Sequence, residues 1–287
     1  MLDLTLTQRT LIEEFLNWLE TCRGCAISTR NQRLAAIHAF FRYLQLEEPG
    51  HLFLCQQVMA ITMKRSASKA MNYLTLDAMK AILEQPDHSC FLGRRDLVLL
   101  SLMYDTGTRV QEIADLVAAD VRLDDPPTVK VTGKGNKSRV VPLMSPTAKL
   151  LDQYMAEHDL KSVPHRSYPL FQNRSREKLT RAGIAYILKK YVDEARAHYP
   201  ELIPKVVSPH SFRHSKAMHL LQADVNLVYI RDLLGHVSIK TTEVYARADS
   251  QMKRDALERA YQATAPSELP VWQKNQELLK WLKDLGR

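Results

Sequence analysis

Between Ser208 and Tyr245 the chain sets His210 and Arg213 three residues apart, places His236 directly after a glycine, and puts a tyrosine nine residues beyond that histidine. Ser208 followed by Pro209 predicts a helix start, since serine can cap a first turn and proline costs nothing where an N–H has no partner anyway. On such a helix His210 and Arg213 share one face. That face lies at the positive end of the helix dipole, where a phosphate is favoured. A second helix start is expected near Arg109. Thr108 and Gln111 have capping-box spacing, which would make Arg109 the first residue of a helix with Val110, Ile113, Leu116 and Val117 as its apolar positions. An arginine there opposes the dipole unless it and the helix end share an anion; the plainer alternative is a surface pair between Arg109 and Glu112. A third candidate, Lys134, sits at the turn of an expected hairpin, TVKVTGKGNKSRVVP over 128–142, beside Lys137 and Arg139. The spacing is not that of a Walker loop, and lysines in turns commonly serve solubility alone.

Two arginines, a lysine, two histidines and a tyrosine, with no metal-binding carboxylate cluster among them, suit attack on a phosphodiester. Arginine forks hold two non-bridging oxygens and neutralise charge as it grows in the transition state. A tyrosine hydroxyl, with a pKa near ~10, needs a base or nearby cations to become a nucleophile. His210 is the candidate base, and Lys134 can protonate a leaving 5′-oxygen. The phosphodiester energy would be kept as a phosphotyrosine, so no cofactor and no metal are called for.

These residues need elements to hold them. At 287 residues with 45% hydrophobic content the chain can form two cores. No apolar run approaches the ~18 residues of a membrane span, and the N-terminus lacks the order of a signal peptide, so a cytoplasmic protein is expected. Four cysteines make no disulfide framework in a chain this long. The net charge of +8 suggests a polyanionic partner. Residues 1–63 carry five arginines, no lysine and six acidic residues, so the positive excess lies beyond them.

Helices are expected over 7–20, with Leu11, Phe15, Trp18 and Leu19 inward, and over 28–45, capped by Ser28, with Leu34, Ile37, Phe40, Phe41 and Leu44 inward. Arg30 and Arg33 would face outward, either solvating the helix or meeting DNA. The basic stretch 62–73 reads as a linker whose Lys64 and Arg65 could follow a phosphate backbone. Beyond it, helices are expected from Thr75, over 95–104, 145–156, 180–198 and 223–235, then over 250–263 and 271–285. Two competing site assignments are weak. Cys22 and Cys25 form a lone C-x-x-C with His38 twelve residues on, but no second histidine follows. Asp120, Asp124 and Asp125 could be offered as ligands of a metal-dependent nuclease, yet Pro126 and Pro127 beside them suggest an ordinary turn.

The segments TGTRVQEIADL around Arg109, GKGNKSRVVPL around Lys134, SPHSFRHSKAMHLL around His210 and Arg213, and LLGHVSIKTTEVYAR around His236 and Tyr245 resemble, in order, those of the tyrosine site-specific recombinases, or phage integrases, in their simple Xer-like form. The resemblance covers roughly residues 74–250. It implies a mainly α fold with a small antiparallel β-sheet or hairpin in a two-domain architecture: a short helical core-binding (SAM-like) domain over 1–63, a basic linker over 64–73, a catalytic domain over 74–265, and an amphipathic helix over 266–287 exchanged between subunits. It implies that Arg109 and Arg213 clamp the scissile phosphate, Lys134 is the general acid, His210 the acid/base partner, His236 a supporting hydrogen-bond donor, Tyr245 the nucleophile and Glu112 a supporting acid. Lys137, Arg139, Lys64 and Arg65 are the expected DNA contacts.

The function implied is strand cleavage and rejoining at short, inverted-repeat sites in double-stranded DNA through a 3′-phosphotyrosyl intermediate, serving integration, excision, inversion or resolution of a mobile element or replicon. The protein would act as a dimer on one site and a tetramer in synapsis. The alternatives are a strand transferase like the type IB topoisomerases, and a catalytically weak DNA-binding relative.

Overall fold

The computed structural model describes residues 8–65, 72–133, 135–248 and 284. The chain divides into two compact units, Met1–Lys69 and Ala70–Arg287. The expected mainly α fold with one small antiparallel sheet is what the structure has.

The first unit contains α1 (Arg9–Thr21), α2 (Ile27–Glu47) and α3 (Leu52–Met59). Its core gathers Ile12, Leu16, Leu19, Leu34, Phe41, Leu44, Cys55, Val58 and Ile61. The buried stripe of α1 is therefore rotated from the expected one. Leu19 is buried, but Leu11, Phe15 and Trp18 are exposed, because Ile12 and Leu16 at the same helical spacing face the core and the sequence offers α1 two apolar stripes. Phe40 is likewise exposed while its neighbour Phe41 is buried. Ser28 is not the cap of α2; Ala26 holds that position.

Arg30 does not face outward either. Its guanidinium is buried, 3.3 Å from the Glu20 carboxylate and 3.2 Å from the Thr62 carbonyl. Its Nη1 donates to the Thr62 carbonyl and to the Asn31 side-chain oxygen and the Glu20 carboxylate balances its charge, while its Nε makes no hydrogen bond. Arg33 stays exposed. His38 Nε2 donates to the Val58 carbonyl at 3.1 Å, an α2–α3 packing contact, and Cys22 and Cys25 are free thiols.

The second unit begins with α4 (Leu76–Leu83), where the Thr75 hydroxyl caps the helix by accepting the Ala78 N–H at 3.2 Å. The helix α5 (Phe91–Thr106) is longer than its apolar run, starting at a Cys90 cap and ending on Gly107 in the left-handed conformation. A short α6 (Val110–Ala114) leads to β1 (Val121–Arg122), β2 (Thr128–Thr132) and β3 (Ser138–Pro142). These three strands form one antiparallel sheet in the order β1-β2-β3, with Val129 opposite Val141 and Val131 opposite Arg139. Its inward face, Val129, Val131 and Val141, is buried, as the period-2 pattern requires. The Asp120 carboxylate accepts the Val117 N–H at 3.0 Å and Asp124 lies 3.7 Å from Arg122, so both serve local turns.

The helices α7 (Ser145–Glu157) and α8 (Arg181–His198) pack on α5 and α4 around a core of Leu99, Leu100, Leu102, Leu151, Phe171, Ile184 and Leu188. Each such fully buried aliphatic side chain contributes about 1.5–3 kcal/mol. Phe171, fully buried, anchors the irregular loop between α7 and α8. Three more helices follow, α9 (Pro209–Gln222), α10 (Leu227–Leu234) and α11 (Ile239–Ala248). They share a smaller cluster of Ala217, Met218, Leu221, Ile230, Leu234 and Tyr245. The helices expected over 250–263 and 271–285 lie outside the described residues.

Candidate active site

Helix α9 starts at Ser208 with Pro209 in its first turn, as the sequence implies, but the hydroxyl that closes the turn belongs to Ser211, which accepts the Ser208 N–H at 3.0 Å. From this start α9 presents Arg213 inward and His210 outward. Arg213 is 4% exposed. It donates to the Gly107 carbonyl at 2.7 Å and to the Leu234 carbonyl at 2.6 Å. Both acceptors lie at helix C-termini, those of α5 and α10, where carbonyls have no intrahelical partner and the dipole is negative. Gly107, which carries the first carbonyl, and Gly235, which follows the second, are in left-handed conformations, which glycine adopts without a Cβ penalty. Burial, then the nearby Arg109 charge, lowers the Arg213 pKa to about 10, so the guanidinium stays charged at neutral pH.

Arg109 is the N-cap of α6, one position earlier than its expected place inside the helix. The cap is made by Glu112, whose carboxylate accepts the Arg109 N–H at 2.9 Å; Thr108 is buried with its hydroxyl 3.0 Å from that of Thr106 instead. Glu112 is 4% exposed and binds two guanidinium groups, Arg109 at 2.8 Å and Arg139 at 2.8 Å. Burial alone would raise its pKa; the hydrogen bonds and charges of Arg139 and Arg109 outweigh that and hold it below the ordinary carboxylate value. The pair is thus no surface salt bridge on the Glu112 side, while the Arg109 side chain remains 41% exposed. An exposed arginine anchored at its base by a buried carboxylate is free to use its remaining donors outward.

Arg139, expected among the DNA contacts, turns inward. Its Nε donates to the Leu233 carbonyl at 2.8 Å and its terminal nitrogens to Glu112. Strand β3 carries it there because position 139 lies opposite Val131 of β2, beside α6 and the end of α10. Gly133 and Gly235 leave the space: a Cβ on Gly133 would stand 3.0 Å from the Glu112 carboxylate, and one on Gly235 2.8 Å from the Arg139 guanidinium. Lys137 is exposed on the hairpin. Lys134, the expected general acid, lies outside the described residues. In the first unit Lys64 is held 2.9 Å from both Glu20 oxygens, and Arg65 is exposed.

Tyr245 on α11 is 2% exposed. Its ring lies parallel to that of His236, with centroids 6.3 Å apart and planes 7° apart. His236 is fixed by the Thr242 hydroxyl, 3.0 Å from its Nδ1. Burial, then the charges of Arg213, Arg109 and Arg139, lowers the His236 pKa to about 4, so the ring is neutral at pH 7. The Tyr245 hydroxyl meets His214 rather than His210: it lies 3.0 Å from His214 Nδ1. Burial raises the tyrosine pKa, against the opposing pull of Arg213 and Arg109. His210 is exposed, its ring 6.3 Å from that of His214.

The structure therefore brings Arg109, Glu112, Arg213, His236 and Tyr245 to one place and adds three residues that sequence reasoning did not assign there: Arg139 as an internal strut, His214 and Thr242. His214 had a signal, since it lies four residues after His210 and so on the same helical face. Three guanidinium groups surround one carboxylate here, with the neighbouring histidines His214 and His236 held toward neutrality. The excess of positive charge suits a bound phosphodiester, and a buried tyrosine hydroxyl sits within reach of that field. Among the described residues no group of three or more His, Cys, Asp or Glu could hold a metal ion.

Comparison with known proteins finds relatives of most of the chain. Residues 72–252 match the Phage integrase family. The chain is 39% identical over 249 residues to the integrase/recombinase-type protein y4rC of Sinorhizobium fredii (strain NBRC 101917 / NGR234), covering 86% of this chain and 73% of that one. It is 31% identical over 235 residues to the tyrosine recombinase XerC of Syntrophus aciditrophicus (strain SB), covering 80% and 73%. Among solved structures, the XerH site-specific recombinase bound to palindromic difH substrate in a post-cleavage complex aligns with a TM-score of 0.70 at 24% identity, over 89% of this chain and 73% of that one.

Proposed function

The chain belongs to the phage integrase family, and from that premise we propose how this member, a site-specific tyrosine recombinase that cleaves and rejoins DNA, uses its residues. Arg109 and Arg213 hold the two non-bridging oxygens of the scissile phosphate. Arg213 is prevented from moving by its two helix-end carbonyls, so its remaining donors are pre-aimed and no reorganisation accompanies the build-up of charge. Glu112 and Arg139 position Arg109 without touching the phosphate. The Tyr245 hydroxyl gives up its proton to a neighbouring imidazole and attacks phosphorus, forming the 3′-phosphotyrosyl bond; the bond from phosphorus to the 5′-oxygen breaks, and that oxygen takes a proton from Lys134. His210 at the exposed start of α9 meets the DNA, and His236 keeps the tyrosine ring in plane. The observation that carries this reading is the neutral, buried Tyr245 beside a cluster of guanidinium groups in positive excess.

Residues 1–63 serve as the core-binding domain and 64–73 as the linker, with Lys64, Arg65 and Lys137 contacting DNA phosphates. The substrate is double-stranded DNA with short inverted-repeat sites, bound by a dimer on each site and a tetramer in synapsis, with residues 266–287 exchanged between subunits. The setting is the cytoplasm; no helix among the described residues is long and apolar enough to cross a membrane. The test begins by enriching a duplex from a random pool through covalent capture on the protein. Two copies of that duplex on one plasmid should recombine, giving excision or inversion according to their orientation. Relaxation of supercoils without exchange between copies would replace the recombinase with a topoisomerase-like activity, and binding without cleavage would replace it with a DNA-binding module.

A further inference from the structure

We propose that His214 is the base that takes the proton from Tyr245, leaving His210 to face the DNA; this rests on the recombinase reading above. The Tyr245 hydroxyl is 3.0 Å from His214 Nδ1, a hydrogen-bond distance. The two rings meet at 55° with centroids 5.7 Å apart, so the hydroxyl addresses the edge of the imidazole at Nδ1, which accepts its proton in the tautomer protonated on Nε2. His210, which has the expected motif position, lies one turn before His214 on the same face, exposed at the start of the helix. A base must reach the proton it removes, and His214 does.

Burial of both groups keeps the proton on the tyrosine until DNA arrives. His214 faces His210 and Arg213 on its own helix, His236 from the loop after α10, and Tyr245 on α11. Burial, then the charges of His210 and Arg213, lowers its pKa, so it is a neutral acceptor at pH 7. Burial raises the Tyr245 pKa at the same time. A phosphate seated on Arg109 and Arg213 cancels the positive charge that disfavours an imidazolium. Transfer then accompanies attack: the Tyr245 O–H bond breaks and its proton goes to His214 Nδ1, the Tyr245 oxygen bonds to phosphorus, the bond from phosphorus to the 5′-oxygen breaks, and that oxygen takes a proton from the general acid. In religation the 5′-hydroxyl gives its proton back to the deprotonated general acid as its oxygen bonds to phosphorus, the phosphorus–tyrosine bond breaks, and His214 returns its proton to the tyrosine oxygen.

The experiment compares His214→Asn, His214→Ala and His210→Asn in the full-length protein, on a nicked duplex first enriched from a random pool by covalent capture on the wild type. Asparagine can still accept the tyrosine hydrogen bond but cannot act as a base. His214→Asn should bind the duplex with unchanged affinity and cleave about 10²-fold more slowly at pH 7, the rate climbing with pH as hydroxide substitutes for the imidazole. A duplex with sulfur at the bridging 5′ position, whose leaving group needs no acid, should leave that deficit intact while erasing the deficit of Lys134→Ala. A wild-type rate and pH profile in His214→Asn, rescue of it by the sulfur substrate, or a pH-dependent loss confined to His210→Asn would overturn the assignment while leaving the recombinase reading standing. Failure of the wild type to capture any duplex would remove that reading and this inference together.

Discussion

Replacing Glu112 by alanine perturbs the site at the point where the most interactions converge. The carboxylate accepts the Arg109 backbone N–H at 2.9 Å and pairs with Arg109 and Arg139 at 2.8 Å each. The Arg109 pair contributes little to stability because that side chain is 41% exposed and water screens it. The Arg139 pair is different, since that side chain is 15% exposed and would be left as a nearly buried charge beside an empty space. Breaking a buried pair by removing one partner costs about 3–5 kcal/mol, and the surviving bond from Arg139 to the Leu233 carbonyl places the expected loss near the lower end, about 3 kcal/mol. For a unit of this size that lowers the melting temperature by about 6–12 °C. Scanning calorimetry of the full chain, following the transition of the second unit, measures it.

Glu112→Gln keeps the shape and one acceptor, so its loss should be smaller. The gap between Glu112→Gln and the wild type should also depend on pH. The carboxylate pKa is held below its ordinary value of 4.5, so its contribution is fully present above that value and disappears as pH falls through the folded-state pKa. A melting temperature within 2 °C of wild type for Glu112→Ala (roughly 0.5–1 kcal/mol), or a Glu112→Gln gap that persists unchanged at acid pH, would refute the argument.

Further outcomes follow from the same geometry. Arg213→Lys keeps the charge but cannot span the Gly107 and Leu234 carbonyls while addressing a phosphate, so single-turnover cleavage should fall by about 10²–10³-fold with the bound fraction little changed in a gel-shift assay. Gly235→Ala should destabilise by more than the ~1–2 kcal/mol of a left-handed backbone, because its Cβ would stand 2.8 Å from the Arg139 guanidinium; Gly24→Ala, also left-handed but with open space around it, should show the backbone cost alone in urea unfolding. The His236 imidazole should titrate near 4 by NMR and move toward 6.5 in the unfolded chain. Its contribution to stability is accordingly full above pH 6.5 and lost as pH falls toward 4; a His236 pKa of 6 or higher in the folded protein would contradict the packing described.

Arg109, Arg213, His236 and Tyr245 are legible in the sequence because each sits beside a local marker: a helix start, a helix-ending glycine, or a fixed interval from one. The hairpin is legible for the same reason, since β2 and β3 alternate in register around a glycine turn. Arg30, Arg139 and His214 are not, because what fixes them comes from distant parts of the chain. Arg30 meets the Thr62 carbonyl, Arg139 meets Glu112 and Leu233, and His214 meets a tyrosine on another helix. Local pattern cannot distinguish an arginine solvating a surface from one that closes a buried network. The two apolar stripes of α1 illustrate the same limit, as only packing against α2 and α3 selects Ile12 and Leu16 over Leu11 and Phe15.

The central claim is that Tyr245 becomes covalently joined to a 3′ DNA end. Mass mapping of the adduct trapped on a nicked suicide duplex in the presence of EDTA tests it directly. A single modified peptide bearing a 3′-linked nucleotide on Tyr245 is expected, with no adduct in Tyr245→Phe. An adduct on another residue, an adduct that survives Tyr245→Phe, or cleavage that leaves free ends and vanishes with EDTA would contradict it.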